Sequence, residues 1–578
     1  MSARGRIGVA LLVWLGAVLT AAAPASAHAY LVKTFPSESS IVNGAPSTVA
    51  LTYDEAVEPR FAIISVTNAD GRQETTSAVS RSPSNPDTLV VRLRPHLAQG
   101  WYLIYWRAIS VDGHPVKGGF TFAVGPGPGA PPQFPTPSIA ATSTSPQLLI
   151  TRWLMFLTIM VAIGLFVLRT IIARPVVQRE PGASLRAVST AFLICSVLGL
   201  VAIPVYLEFA TANDSLRSVL DVGALVPLFR VTAFGRAIVD LEVCFALFCV
   251  AGWIAVWVDR PDREHRSLAG LVAMGGALLA AAAVLVVPGA AGHAAQTSPR
   301  GFSVLFDWLH LISGSVWLGG LVGLLVIWAS IRGRGRVPAL SVVVPRFSAV
   351  ALSSVVVLLA TGTAATIIHM PAVNALWETG YGVAILVKIG LLTLAIALAS
   401  GNLLRTRPRL IAARHRPEEG EAAARLLRGL VSGEAVIVAA AVFVAAVLSS
   451  LAPPPPSFAL GNSALVDVGP GRVAQTVRRA GYVLQVLVSP NRAQAPDTFA
   501  LRITRNGRLV RGADVTLTFN HLDMEMPQEE YQLTETEPGV YSRAAPALEM
   551  VGRWGLTFHV APKGLPPFTA LIVDHANG

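Results

Sequence analysis

The sequence predicts a multidomain membrane protein: an external β-sandwich, an eight-helix transmembrane bundle and a second external β-sandwich. Three observations carry this. The 578 residues are 53% hydrophobic and only 14% charged, with a mean hydropathy of +0.57, which suits a bilayer as solvent. Eight apolar runs of roughly 20 residues are long enough to cross a hydrocarbon core as helices. On both flanks of these runs, short stretches alternate apolar and polar residues at the period of a strand.

Residues 1–27 read as a secretory signal peptide. Arg4 and Arg6 precede an apolar run from Ile7 to Thr20, and Ala25-Ser26-Ala27 forms an A-x-A-like cleavage site. Cleavage there makes His28 the mature N-terminus, with a free amine and an imidazole on one residue. Residues 28–124 then alternate in short runs, Ser47 to Tyr53, Phe61 to Val66, Leu89 to Leu93 and Gly119 to Val124, as in a small antiparallel sandwich or barrel. Asp112-Gly113-His114 falls in a strand-and-turn segment, so one cation can take nitrogen from His28 and oxygen and nitrogen from Asp112 and His114. A nitrogen-rich tetragonal set favours Cu(II), and no methionine occurs between His28 and Pro146 to supply the thioethers that suit Cu(I). His96, beside Pro95, reads as a surface turn residue. Residues 125–146, rich in Pro, Gly, Ser and Thr, read as a semi-rigid linker.

The membrane domain is expected over residues 147–452, with spans at 149–171, 187–210, 237–257, 268–290, 303–330, 346–369, 382–404 and 429–451. The Arg-rich connections at 169–186, 260–266, 332–336 and 405–428 are expected in the cytoplasm, and the Lys/Arg-free loop from Met370 to Tyr381 outside. The stretch from Asn213 to Arg236 carries three arginines against this rule, and the leader and the even number of spans outweigh it. The net charge of +11 is thus spread over orientation signals, and no nucleic-acid partner is expected. Cys195, Cys244 and Cys249 all sit in apolar runs and read as helix thiols.

Ionisable groups in apolar helices mark pathways or buried partners. Asp307 and His310, three apart, share a helix face near the outer end of the fifth span. Glu208, His293, His369 and Met370 also fall at outer ends or in adjoining loops, so these groups read either as a metal-accepting mouth or as structural hydrogen bonding and interfacial snorkelling. Met155 and Met160 read as packing. Gly314, Gly319 and Gly320 around Trp317 read as close helix contacts. Asp240, Glu242 and Lys388 are candidates for ion pairs. No G-x-x-x-x-G-K-[ST] loop is present, so transport would run down a gradient or with the membrane potential, which favours inward movement of a cation.

After Pro453 to Pro456, residues 457–578 alternate like strands of a second β domain, expected outside with the first. His521, Met524 and Met526 form its His/Met cluster. On a regular strand His521 faces away from both methionines, so one Cu(I) can join them only at a turn or bulge; the competing reading is that the methionines pack in the core.

His28-Ala-Tyr-Leu31, Leu51 to Pro59 and Tyr105 to Pro115 resemble the CopC copper-binding family. Gly292-His293, Asp307-Trp-Leu-His310, Trp317-Leu-Gly-Gly320, Arg346-Phe-Ser348, Thr361-Gly362 and Tyr381-Gly382 resemble the CopD copper-resistance family. Residues 457–575 resemble YtkA-like β domains through Met524-Glu-Met526 and Met550 to Trp554. The CopC resemblance implies Cu(II) held by the amine and imidazole of His28 with Asp112 and His114. The implied function is copper binding at the outer face of the cell membrane and transport inward, with copper ions, the lipid bilayer and other envelope copper carriers as partners, and without catalysis. Two other readings stay open: a haem or copper redox protein using His293, His310 and His369, and a copper-sensing or sequestering scaffold.

Overall fold

A computed structural model describes residues 31–37, 40–53, 57, 59–109, 115–128, 145–180, 183–215, 233–292, 294, 299–331, 333–413, 417–451, 453–493, 496–523, 528–545, 547–549 and 551–577. The chain divides into two compact units, one holding the long helices and one holding both β regions.

In the N-terminal β region, β1 (Leu31–Phe35), β3 (Thr48–Tyr53), β5 (Ser80–Arg81) and β6 (Thr88–Arg92) form one sheet in the order β1-β3-β6-β5. The second sheet orders β2 (Ile41–Val42), β8 (Pro115–Val124), β7 (Gly100–Ile109) and β4 (Ile63–Asn68) as β2-β8-β7-β4. The period-two alternation sends Val49, Leu51 and Tyr53 inward from β3, against Ile64, Val66, Ile104, Trp106 and Phe122 from the facing sheet. His96 is exposed with φ 60°, a turn conformation.

Among the described residues eight helices are long and apolar enough to cross a membrane. They are α1 (Pro146–Val167), α2 (Arg186–Ser215), α3 (Ala233–Val258), α4 (Leu268–Ala291), α5 (Arg300–Ser330), α6 (Arg336–His369), α7 (Gly380–Gly401) and α8 (Pro417–Leu448). Two are longer than the apolar runs suggest. Beyond α1, a π-turn (Leu168–Ile172) and the helix Arg174–Arg179 continue the rod, and beyond α7 a π-turn (Asn402–Thr406) leads into Arg407–Ala412. Sequence analysis placed loops at 169–186, 332–336 and 405–428, and much of each is helical. Hydropathy measures only the length in hydrocarbon. A helical rod of 34 residues runs about 51 Å, against a core of about 30 Å, so polar, Arg-bearing turns project past it.

α1 and α5 form the centre of the bundle, with 72% and 61% of their apolar windows buried against 22–39% for the other six. They touch backbone to backbone: a Cβ on Gly164 would lie 2.7 Å from the Gly319 Cα. Gly314 makes room for the Met160 methyl, at 2.9 Å from where a Cβ would stand, and Gly320 for the Phe347 ring. Close approach through small residues is what packs helices where lipid removes the hydrophobic drive. Met155 and Met160 are both buried in this core.

The C-terminal β region is a ten-stranded sheet ordered β10-β11-β12-β16-β15-β14-β17-β18-β9, with β13 paired to β12. Its strands are β9 (Asp467–Val468), β10 (Val473–Arg479), β11 (Tyr482–Ser489), β12 (Asp497–Arg505), β13 (Arg508–Leu509), β14 (Asp514–His521), β15 (Glu529–Glu537), β16 (Val540–Ala545), β17 (Gly552–Ala561) and β18 (Phe568–Ala576). The sheet folds over a core that includes Leu484, Leu501, Phe519, Tyr541, Trp554 and Phe558.

Candidate metal centre

His28, Asp112 and His114 lie outside the described residues, as do His293, Met524 and Met526. The strands leading to the first three are described. β1 begins three residues after His28, and Leu31 pairs with Tyr53 at the end of β3. The Tyr53 ring packs edge-on against Trp106 of β7, 5.6 Å between centroids. Trp106 lies three residues before Ile109, which pairs with Pro115 across the hairpin carrying Asp112 and His114. A Cβ on Gly118, opposite Trp106, would stand 2.7 Å from its ring, so glycine there lets the indole lie flat. The start of β1, the end of β3 and the β7–β8 ladder near Trp106 are thus linked through Tyr53. Burial pushes the Tyr53 phenol far above its usual range.

In the helical unit, Asp307 and His310 project from α5 as their spacing predicts. His310 Nδ1 lies 2.9 Å from Thr361 Oγ1 on α6. That hydroxyl donates its own proton to the Val357 carbonyl at 2.7 Å, so Nδ1 must be the donor of the pair. The tautomer follows: Nε2 carries the lone pair. Lys388 Nζ of α7 stands 3.4 Å from that Nε2. His310 also packs on Gly362, and the Asp307 carboxylate packs on Gly289 of α4, where a Cβ would lie 2.6 Å from Oδ2. Four helices therefore frame one carboxylate, one imidazole with a directed lone pair, and the Lys388 amine.

His369 is placed differently. Its Nδ1 donates to the Ala365 carbonyl at 2.8 Å, and it is the last residue of α6, before the C-cap Met370, eight residues and about 12 Å of helix rise beyond Thr361. The structure brings His310, Asp307 and Lys388 together and sets His369 and Met370 two turns away. Among the described residues no group of three or more His, Cys, Asp or Glu side chains forms a metal cage.

In the C-terminal region, His521 ends β14, is 4% exposed, accepts the Asp523 N–H at Nδ1 (3.2 Å) and packs edge-on against Trp554. Burial pulls its imidazole below the usual range, while Asp523 draws it upward. The chain leaves the strand at His521, the break that a shared His/Met site requires.

Sequence analysis missed Glu434, at the middle of α8 and 2% exposed. Trp317 Nε1 donates to Oε1 at 2.7 Å and Asn402 Nδ2 to Oε2 at 3.2 Å. These residues border a cavity of about 90 Å³ that Ser348 and Ser400 also line. A lone acid in an apolar run was the available signal. Lys388 was expected to make an ion pair, and the structure sets it within electrostatic reach of Asp307, with its Nζ 3.4 Å from the His310 imidazole.

The comparisons with known proteins agree with this layout. Residues 31–125 match the CopC domain, residues 341–448 match Copper resistance protein D, and residues 480–559 match the YtkA-like family. A β domain ahead of eight membrane-crossing helices and a second β domain thus define a membrane protein of the copper-resistance class. The chain belongs to the CopC/CopD copper-resistance family, with a YtkA-like domain at its C-terminal end. It is 26% identical over 92% of its length to the Copper transport protein CutJ of Bacillus subtilis (strain 168), covering 93% of that protein. Over 17% of its length it is 34% identical both to Protein YobA of Escherichia coli (strain K12), covering 79% of it, and to Copper resistance protein C of Pseudomonas syringae pv. tomato, covering 82%.

Proposed function

We propose that this protein captures Cu(II) outside the cell through His28, Asp112 and His114 and passes copper inward across the membrane by way of Asp307 and His310. The observation that carries this reading is the His310 lone pair, aimed at the Lys388 amine 3.4 Å away. An imidazole nitrogen with its tautomer set by a second residue is how proteins prepare a metal ligand. Lys388 holds the place of a cation and must withdraw when copper arrives, so His310 alternates between two cations. The link of β1, β3 and the β7–β8 ladder through Tyr53 supports the capture site, and a set of amine, imidazole and carboxylate fits Cu(II) as cargo. His369 and Met370 belong to a later or earlier contact along α6. The Cu(I) site in the C-terminal region rests on Met524 and Met526 with His521 at the strand end. Both β domains face outward and the Arg-rich helix ends face the cytoplasm in this scheme.

The test is spectroscopic. The full chain purified in detergent is titrated with Cu(II) and followed by electron paramagnetic resonance, alongside a form with one extra residue ahead of His28. The extra residue displaces the amine from the chelate, so affinity falls by more than the roughly 10- to 100-fold that an outer-shell change costs. The amine, with an unperturbed pKa of about 7.7–8.0, must also lose its proton, so affinity drops as the medium is acidified. Equal affinity for both forms would remove the amine from the site. A Soret band in the same preparation would favour the haem reading instead.

A further inference from the structure

A second charged place lies at the opposite chemical extreme from the histidine station. Asp259, just past the end of α3, is buried, and three guanidiniums converge on its carboxylate. Arg169 bonds Oδ2, Arg174 Nε lies 3.4 Å from Oδ1, and Arg266 Nε lies 3.7 Å from Oδ1. One negative charge thus meets three positive ones. Hydrogen bonds absorb much of the donor capacity without touching the charge: Arg174 donates to the carbonyls of Arg263 (2.8 Å) and Glu264 (3.2 Å), and Arg266 to the carbonyl of Thr170. The intervening loop adds nothing to the balance, because Arg260 and Arg263 offset Asp262 and Glu264. An excess of two positive charges therefore sits half-buried at one end of the bundle, where it is costly unless an anion joins it.

Space for that anion adjoins it. A cavity of about 530 Å³ is lined by Asp259, Arg260, Arg263, His265, Arg266 and Ser267, among others, a size that suits a small ligand. Ser267 accepts the Gly270 N–H at 3.1 Å as the N-cap of α4, so its hydroxyl proton remains to be donated toward the cavity. One wall is an open aromatic: Trp257, which lines the cavity, is 80% exposed, the kind of residue found at headgroup depth. We infer that this cavity binds a phosphate group, carried by an anionic phospholipid headgroup or by free inorganic phosphate, with Arg260, Arg263 and Arg266 as its cationic partners. The arginines at this end thus do more than orient the chain. They await a ligand that neutralises the Asp259 cluster and ties α3 to α4.

The full chain in nanodiscs tests this without reference to copper. In one arm phosphatidylglycerol is titrated into phosphatidylcholine discs and retained lipid is counted by native mass spectrometry. In the other, inorganic phosphate is added to discs of phosphatidylcholine alone and binding is read by calorimetry. Retention of phosphatidylglycerol assigns a lipid source, and binding of free phosphate alone assigns a soluble one. Either supports the site, provided that R260Q/R263Q, at exposed positions, weakens it by about fivefold for each arginine removed. Asp259→Asn should act in the opposite direction and tighten binding, since it raises the positive excess. Binding in neither arm, or equal binding by the wild type and R260Q/R263Q, would overturn the proposal.

Discussion

Two polar clusters occupy the same helical bundle and are built to opposite ends. Around His310 a carboxylate, an imidazole and a lysine amine meet, and the imidazole lone pair faces the end of a long lysine side chain. Around Glu434 a carboxylate meets, among the described residues, two neutral donors, an indole and an amide, with Thr406 in turn bonded to Asn402. The first arrangement can exchange one cation for another. The second joins α5, α7 and α8 through fixed hydrogen bonds. Charge inside a bilayer is costly in either form; under the proposed function the His310 cluster is where a cation stops and the Glu434 cluster is a tie across the bundle.

The largest expected effect breaks the frame that both clusters share. Gly319→Leu drives a side chain into the Gly164 backbone, so the helical unit should lose several kcal/mol of stability and fold poorly, which thermal unfolding in detergent would register. Next, Lys388→Met removes the competing amine. Copper uptake should then saturate at roughly tenfold lower external copper, about 1.4 kcal/mol, and an unchanged saturation point would separate Lys388 from the copper path. At the second cluster, Glu434→Leu strands the Trp317 N–H and the Asn402 amide and should cost about 1–3 kcal/mol, whereas Glu434→Gln keeps one acceptor and costs less. Both variants should retain the copper concentration dependence of the wild type. A shift of that dependence in the Gln variant would make Glu434 part of the path and dissolve the contrast.

The smallest effect lies in the C-terminal region, where Asp497 and Asp574 are both buried near Asn491. Burial raises their carboxyls to about 7 and about 6. The folded state therefore keeps protons that the unfolded chain releases near 4. This contribution is present at low pH and is lost as pH rises through about 4 to 7. Hydrogen exchange over 497–505 and 568–576 should be slower at pH 5 than at pH 8, after correction for intrinsic rates, and Asp497→Asn should flatten the difference.

Much of the fold was legible because its signals are local. Eight apolar runs lead to eight long helices, and the alternation of Val49, Leu51 and Tyr53 survives as the inward face of β3. Helix ends were less legible, since the turns bearing Arg169 and Arg405 are too polar for a hydropathy reading and are held by backbone bonding that it does not measure. In the site, the spacing of Asp307 and His310 was sufficient to place them together, because three residues span most of one helical turn. That Lys388 faces His310, 78 residues away in the chain, and that three arginines surround Asp259, depend on which helices pack side by side. Glu434 was visible as a lone acid, but its role needed Trp317 and Asn402 beside it.

The most direct test of the central claim is cytoplasmic copper at limiting external copper, in cells expressing the wild type, a His28 variant, His310→Ala or no copy of the chain. The account predicts higher copper with the wild type and the level of the empty cells with either histidine variant. Lower copper with the wild type, or a gain that survives loss of His310, would contradict it.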